Sequence, residues 1–195
     1  LASLEECFAF AEENDWDARA QVFEREALAV YPKISIIVLC YNQLEYTKKC
    51  VESVVNMTAY PNYELILVDN HSTDGTSEAI GKYTADGRVV HLVPERSDLG
   101  IGGCWNVGVH HPACGKFAVQ LDSDDVYSGP DTLQKIVDAF YEQNCAMVVG
   151  TYRMTDFKMN EIPPGIIDHR EWTLENGRNN ALRINGLGAP RAFLP

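Results

Sequence analysis

The most constraining feature of this chain is the near-continuous apolar run Ile34-Ser35-Ile36-Ile37-Val38-Leu39-Cys40. A half-exposed strand alternates apolar and polar residues. A β-branched run without alternation is the mark of a strand buried on both faces. Such a strand needs helices above and below it, and the rest of the sequence supplies them. A helical stretch places Cys50, Val51, Val54 and Val55 on one face, and residues 63–68 form a second strand. A polar turn over 69–75 then leads to a short helix near 76–83, and a third strand covers 88–93. A Gly-rich turn enters a helix through Trp105 to His110, before a fourth strand at 116–121. Pro130 precedes a helix over 132–142, where its missing N–H does no harm, and 146–150 reads as a fifth strand. This β-α alternation with short connections implies an α/β fold with a mostly parallel sheet and helices on both faces.

The segments outside this repeat read differently. Residues 1–31 carry eight acids (Glu5, Glu6, Glu12, Glu13, Asp15, Asp17, Glu24, Glu26) against Arg19 and Arg25, half of the net charge of −12. A capping box at Ser3 and Glu6, the spacing of Leu4, Cys7, Phe8 and Ala11, and a second stripe of Val22, Phe23, Ala27 and Val30 make residues 1–32 an acidic leader of two short helices. Residues 33–150 are the α/β core. Residues 151–195, with Pro163-Pro164-Gly165 and Asn176-Gly177, read as loops with one or two edge strands.

Composition excludes several functions. The negative charge disfavours a phosphate-binding nucleic-acid surface, and no apolar run approaches the roughly 20 residues of a membrane helix. Six cysteines without CxxC or zinc-ligand spacing point to free thiols in a reducing compartment, so a cytoplasmic or membrane-peripheral location is expected. Residues 98–106 carry glycines but place Trp105 where a dinucleotide fingerprint needs glycine, and they follow the third strand rather than the first. Neither a Walker A sequence nor a GxSxG elbow is present. His71, His91 and the pair His110-His111 lack spaced partners.

In a parallel α/β sheet, ligands bind beyond the carboxyl ends of the strands. Three polar loops lie there. Asp122-Ser123-Asp124-Asp125 follows the fourth strand: three carboxylates in four residues repel one another unless a cation or solvent relieves them. Hard oxygens of this kind suit Mg²⁺ or Mn²⁺ bridging a few carboxylates to a diphosphate; the plain alternative is a solvated turn capping the next helix. Asp69 directly follows the second strand, where its carboxylate would accept the N3–H of uracil or thymine, or an N–H of guanine. Ser72, Thr73 and Asp74 suit a turn and N-cap. Tyr41 and Asn42 follow the first strand, placed either to stack on and bond a base or to serve as a core-edge tyrosine and a turn asparagine.

Taken in order, residues 34–42 (ISIIVLCYN), 65–76 (LILVDNHSTDGT), 98–106 and 121–125 (LDSDD) resemble a bacterial-type family 2 glycosyltransferase of the GT-A fold over about residues 33–150. The resemblance implies a nucleotide-diphosphate sugar donor, of UDP or dTDP type by preference with GDP possible. It implies a divalent cation at the DxD motif, and inverting transfer of a hexosyl or related group to a hydroxyl of a glycan or lipid-linked acceptor. It places Tyr41, Asn42 and Asp69 on the nucleoside, Asp98 and Gly100 on its outer wall, and Asp122 and Ser123 beside the nucleotide. The metal falls to Asp122, Asp124 and Asp125, with Asp124 the direct ligand. Two departures stand out. Trp105 occupies a position where the family commonly has arginine. The acidic pair expected after a segment like Asn185-Gly186-Leu187-Gly188-Ala189-Pro190-Arg191 has not appeared by Pro195. The catalytic base is therefore expected beyond Pro195, and Leu1 in place of Met fits a piece of a longer domain. Asp156 and Glu161 are the weak internal candidates for that base. The competing readings are a nucleotide-sugar-binding or scaffold module without turnover, and a nucleotidyltransferase. The latter is disfavoured because Tyr41-Asn42-Gln43 replaces its Gly-rich basic loop.

Overall fold

The computed structural model describes residues 15–169, 173, 175 and 190–195. The chain divides into two compact units, 1–32 and 33–195. In the first, α1 (Trp16–Ala29) is a 14-residue helix on the second of the two expected stripes. The first expected helix lies outside the described residues.

The second unit is built on β1 (Ile34–Cys40), α2 (Leu44–Met57), β2 (Tyr63–Asp69), α3 (Thr76–Gly81), β3 (Val89–Leu92), α4 (Gly100–Val109), β4 (Phe117–Asp122), α5 (Thr132–Gln143) and β5 (Met147–Val149). β6 (Tyr152–Thr155), β7 (Glu161–Ile167) and β8 (Arg191–Phe193) follow. The strands order β3-β2-β1-β4-β8-β5, with β1, β2, β3 and β4 mutually parallel and β8 antiparallel to both neighbours. The α/β, mostly parallel sheet of the GT-A type expected from the sequence is the fold observed.

Alternation along each buried strand divides the core in two. Ile34, Ile36, Val38, Leu65, Leu67, Val119 and Leu121 face α2 and α5, where Cys50, Val51, Val54, Leu133, Ile136, Val137 and Phe140 meet them. Phe117 stacks on Phe140 with ring centroids 4.4 Å apart. Ile37, Ile66, Val68 and Ala118 face the other way, toward Cys104 and Trp105 of α4.

Three details depart from the sequence expectation. The glycines of 100–103 are already helical, so α4 begins five residues before Trp105. Close packing outweighs their poor helix propensity: a Cβ at Gly108 would sit 2.7 Å from Ile37 Cγ2, so only glycine lets α4 approach β1 this closely. β2 and β4 each run one residue further, through Asp69 and Asp122. The tail beyond residue 150 holds the expected edge strands and one internal strand. β6 and β7 make a separate two-stranded sheet, while β8 inserts between β4 and β5, where Ala192 lies opposite Val119 and Val148 in the core.

Candidate functional site

The parallel register aligns the carboxyl ends of three strands: Cys40 of β1 lies opposite Asp69 of β2, and Leu39 opposite Asp122 of β4. The loops that follow are tied to one another. The Asn42 backbone N–H donates to Ser72 Oγ at 2.8 Å, and Asn42 Oδ1 accepts the Thr73 N–H at 2.9 Å. Asp74 accepts the N–H of Leu44, at the start of α2, and of Thr76, at the start of α3, each at 3.0 Å. The Thr76 hydroxyl and these backbone donors hold the Asp74 carboxyl below its ordinary value. Asn42, Gln43 and His71 take positive φ angles of 58°, 62° and 61°, a cost that these bonds and the His71 Nε2 to Pro94 O contact of 2.8 Å offset.

A cavity of about 310 Å³ opens beside these loops, on the α4 side of the sheet. Leu39, Cys40, Tyr41, Asn70 and Ser123 line it from the strand ends, and Gly100, Ile101 and Cys104 from α4. Of the residues expected at the site, Tyr41, Gly100 and Ser123 line this cavity. Asn42 instead joins the first two loops through its side chain. Asp98 lies on the exposed segment before α4, outside the lining, and holds Arg96 through two bonds of 2.9 Å.

Asp69 and Asn70 differ in their relation to the cavity. Asp69 is fully buried, its Oδ1 accepts the Ser72 N–H at 3.0 Å, and its Oδ2 meets no partner. Asn70, which the sequence reasoning passed over, lines the cavity, and its buried Oδ1 also meets no partner. The reason is strand periodicity. Asn70 continues the two-residue period of Ile66 and Val68, which face α4 and the cavity. Continuing the two-residue period one position past Val68 was the signal that finds Asn70. The Asp69 charge is felt on both sides of the sheet: it adds to burial in raising the Cys40 thiol to about 12 and in raising the Cys104 thiol.

The acidic turn is set on the end of β4. Asp125 N–H donates to Asp122 O at 3.0 Å, and the buried Cys50 Sγ donates to the same carbonyl at 3.6 Å. Burial first, then Cys40 and the three aspartates, keep the Cys50 thiol protonated and hence a donor. Gln120 Nε2 donates to Asp122 Oδ1 at 2.9 Å. Asp122 and Asp124 are exposed, while Asp125 is half-buried; burial, then Asp124 and then Asp122, push its carboxyl up to about 6. This is unrelieved negative charge at a strand end. Among the described residues no three His, Cys, Asp or Glu side chains form a ready-made metal cage. Hard donors in this arrangement fit a Mg²⁺ or Mn²⁺ ion that takes one or two carboxylates and completes its shell from substrate phosphates.

Asp156 and Glu161 are both engaged in local structure. Asp156 organises the β6–β7 turn, accepting from Lys158 N at 2.8 Å and from Asn160 N at 2.9 Å, while Glu161 pairs with Arg153 at 3.4 Å. Neither is placed as a free proton acceptor.

Comparison with known proteins matches residues 35–192 to the family model described as Glycosyl transferase family 2. The chain is similar to a chondroitin synthase of Escherichia coli, 32% identical over 149 residues, which are 75% of this chain and 21% of that protein. It is also similar to the glycosyltransferase GlyA of Streptococcus pneumoniae, 29% identical over 126 residues, 64% of this chain and 17% of that one. Among solved structures, S. aureus TarS in complex with UDP-GlcNAc superposes with a TM-score of 0.56 at 26% identity, covering 67% of this chain and 37% of TarS. The chain spans about half the length or less of the curated relatives it matches.

Proposed function

Because the chain belongs to glycosyltransferase family 2, we propose that it forms the donor-binding part of an enzyme that transfers a sugar, with inversion, from a nucleotide-diphosphate sugar to an acceptor hydroxyl. The observation that carries this reading is the juxtaposition of an unpartnered acceptor, Asn70 Oδ1, in the cavity wall with the acidic turn at residues 122–125. A buried acceptor without a donor is costly unless a ligand supplies one. Uracil and thymine do so with N3–H, and guanine with its own N–H groups. Tyr41, 63% exposed at the cavity mouth, offers a ring face on which a base can stack. The likeness to TarS, solved with UDP-GlcNAc, supports a donor of this class.

In the proposed reaction the acceptor hydroxyl oxygen forms a bond to the anomeric carbon from the face opposite the diphosphate. The carbon–oxygen bond to the diphosphate breaks, and that oxygen keeps the electron pair. The hydroxyl proton passes to a general base that is to be sought outside the described residues, since Asp156 and Glu161 are engaged elsewhere. Asp122 and Asp124 would hold a Mg²⁺ or Mn²⁺ ion, with Asp125 behind them. A bound ion of this kind offsets negative charge on the departing diphosphate. Ser123 and Gly100 limit the cavity around the nucleotide, and α4 screens its base from water.

Calorimetry with UDP and with uridine, each with and without Mn²⁺, tests the reading on the intact chain and on Asp124→Ala. The substitution is expected to weaken Mn²⁺-dependent UDP binding about 10-fold or more while leaving uridine unchanged. Equal UDP affinity for the two proteins in Mn²⁺ refutes the role given to the acidic turn.

A further inference from the structure

A diphosphate bound beside three aspartates needs a cation facing it, and α4, which walls the cavity, carries no charged residue between Gly100 and Val109. The described arginines of the α/β unit are Arg88, Arg96, Arg153 and Arg191. The first three hold Asp86 at 2.7 Å, Asp98 at 2.9 Å and Glu161 at 3.4 Å. Arg191 has no ion-pair partner among the described residues. Its Nε is buried and meets no hydrogen-bond acceptor. A charged donor left so is among the most costly of unsatisfied groups, and such an atom points to an anion that completes it.

The register fixes where that anion lies. Arg191 opens β8, opposite Gln120 of β4 and Val149 of β5. Its neighbour Ala192 packs with Val119 and Val148 on the α2–α5 face, so alternation puts Arg191 on the other face, together with Gln120, Ala118 and Asp122. That is the face of the cavity. Gln120, directly across from Arg191, donates to the Asp122 carboxylate at 2.9 Å, so the arginine stands one strand from the acidic turn. The start of β8 is fixed in place: Gly150 N–H donates to Pro190 O at 2.9 Å, and a Cβ at Gly150 would meet Pro190 Cγ at 2.7 Å. From β2, which carries Asn70 at its end, to β8 there are three strand spacings, about 14 Å, with the acidic turn between them.

We infer that Arg191 is the cationic contact for the distal phosphate of the donor, gripping the end of the nucleotide opposite its base. The inference rests on the nucleotide-sugar reading above and adds to it the residue that distinguishes a diphosphate from a monophosphate or a bare nucleoside. The planar guanidinium fork matches two phosphate oxygens. The distal phosphate is the anion common to all donors of this class, whereas a carboxylate is present only on uronyl sugars.

Calorimetry of the full chain with UDP, UMP and uridine, repeated with GDP, GMP and guanosine, compares the unaltered protein with Arg191→Met and Arg191→Lys. Arg191→Met is expected to weaken the diphosphate about 10–100-fold, the monophosphate less, and the nucleoside by under about twofold. Arg191→Lys should recover part of the loss, since it restores the charge but not the fork. Circular dichroism confirms that the variants are folded. Unchanged diphosphate affinity in a folded Arg191→Met overturns the assignment, and so does an equal loss for nucleoside and diphosphate, the sign of a purely structural residue. Normal UDP binding with lost preference for UDP-glucuronate over UDP-glucose would overturn it in favour of a sugar carboxylate. If the unaltered chain binds neither nucleotide series, the donor reading itself fails, a result separate from any difference between variants.

Discussion

Two glycines nine ångströms apart along one helix should respond to the same substitution with opposite sign, if α4 packs on β1 as described (six residues at 1.5 Å per residue). An alanine Cβ at Gly108 would lie 2.7 Å from Ile37 Cγ2 and 3.4 Å from Val68 Cγ2. Comfortable carbon contacts are about 3.5–4.0 Å, so something must move by close to 1 Å. Ile37 and Val68 are fully buried among Ile66, Cys104 and Ala118 and have nowhere to go. Overpacking of this kind costs about 1–3 kcal/mol, and alanine returns about 0.8–1.0 kcal/mol of helix propensity. The net expectation for Gly108→Ala is a loss of up to about 2 kcal/mol, which in a domain of this size lowers Tm by up to about 8 °C. At Gly102 an added Cβ meets nothing within 4 Å, so Gly102→Ala gains propensity alone, about 0.5–1 kcal/mol. Its Tm should rise by about 1–4 °C. Differential scanning calorimetry of both variants decides the matter. The cavity reports independently, because lifting α4 from β1 displaces Ile101 and Cys104 from its wall. A Gly108→Ala protein more stable than the original, giving two shifts of the same sign, would refute the close approach of α4 to the sheet.

The β6–β7 turn is docked on α2 by the edge-on pair Tyr46–Phe157, 4.9 Å between centroids, and by Lys49 Nζ, which donates to Phe157 O at 2.6 Å. Tyr46→Ala removes about 0.5–1.5 kcal/mol of ring contact and should speed tryptic cleavage at the exposed Lys158 by about 2–12-fold; an unchanged rate contradicts the docking. Asp86 is held at about 2, below its ordinary 3.8, chiefly by its hydrogen bonds from Arg88. A depressed carboxyl stabilises the fold above the unfolded value and loses that contribution as pH falls through the folded one. Between pH 5 and pH 2 the native protein should therefore lose about 1–2 kcal/mol that Asp86→Asn does not lose, once partial exposure is allowed for. Parallel acid-unfolding curves for the two proteins would show that the pair contributes nothing.

Strand periodicity explains both what was legible and where the reading slipped. The buried run at 34–40 and the helical stripe at Cys50, Val51 and Val54 are local patterns, and the structure reproduces them. The acidic turn at 122–125 and the cluster 69–74 were found by their position after strands. The face each residue presents was not, because the strands end one residue later than the apolar runs do. Asn70, rather than Asp69, is the residue of the two that lines the cavity. Asp98 was expected on the nucleotide wall, yet the neighbouring Arg96 captures it, a contact between two exposed side chains that no periodicity encodes.

By itself, then, the sequence determined the α/β class, the order of strands and helices over residues 33–150, and the end of the sheet at which polar residues gather. All of these follow from hydrophobic spacing over a few residues. Only the tertiary structure decided that Arg191, Ala192 and Phe193 form a strand between β4 and β5. The four residues between Pro190 and Pro195 carry no local signal; the place of the strand is chosen by a gap in the sheet that Ala192 fills against Val119 and Val148. The same long-range pairing, across 71 residues between Gln120 and Arg191, puts a cation on the face of the acidic turn. No local pattern encodes that pairing, because loop closure and core packing set it after the surrounding strands are in place.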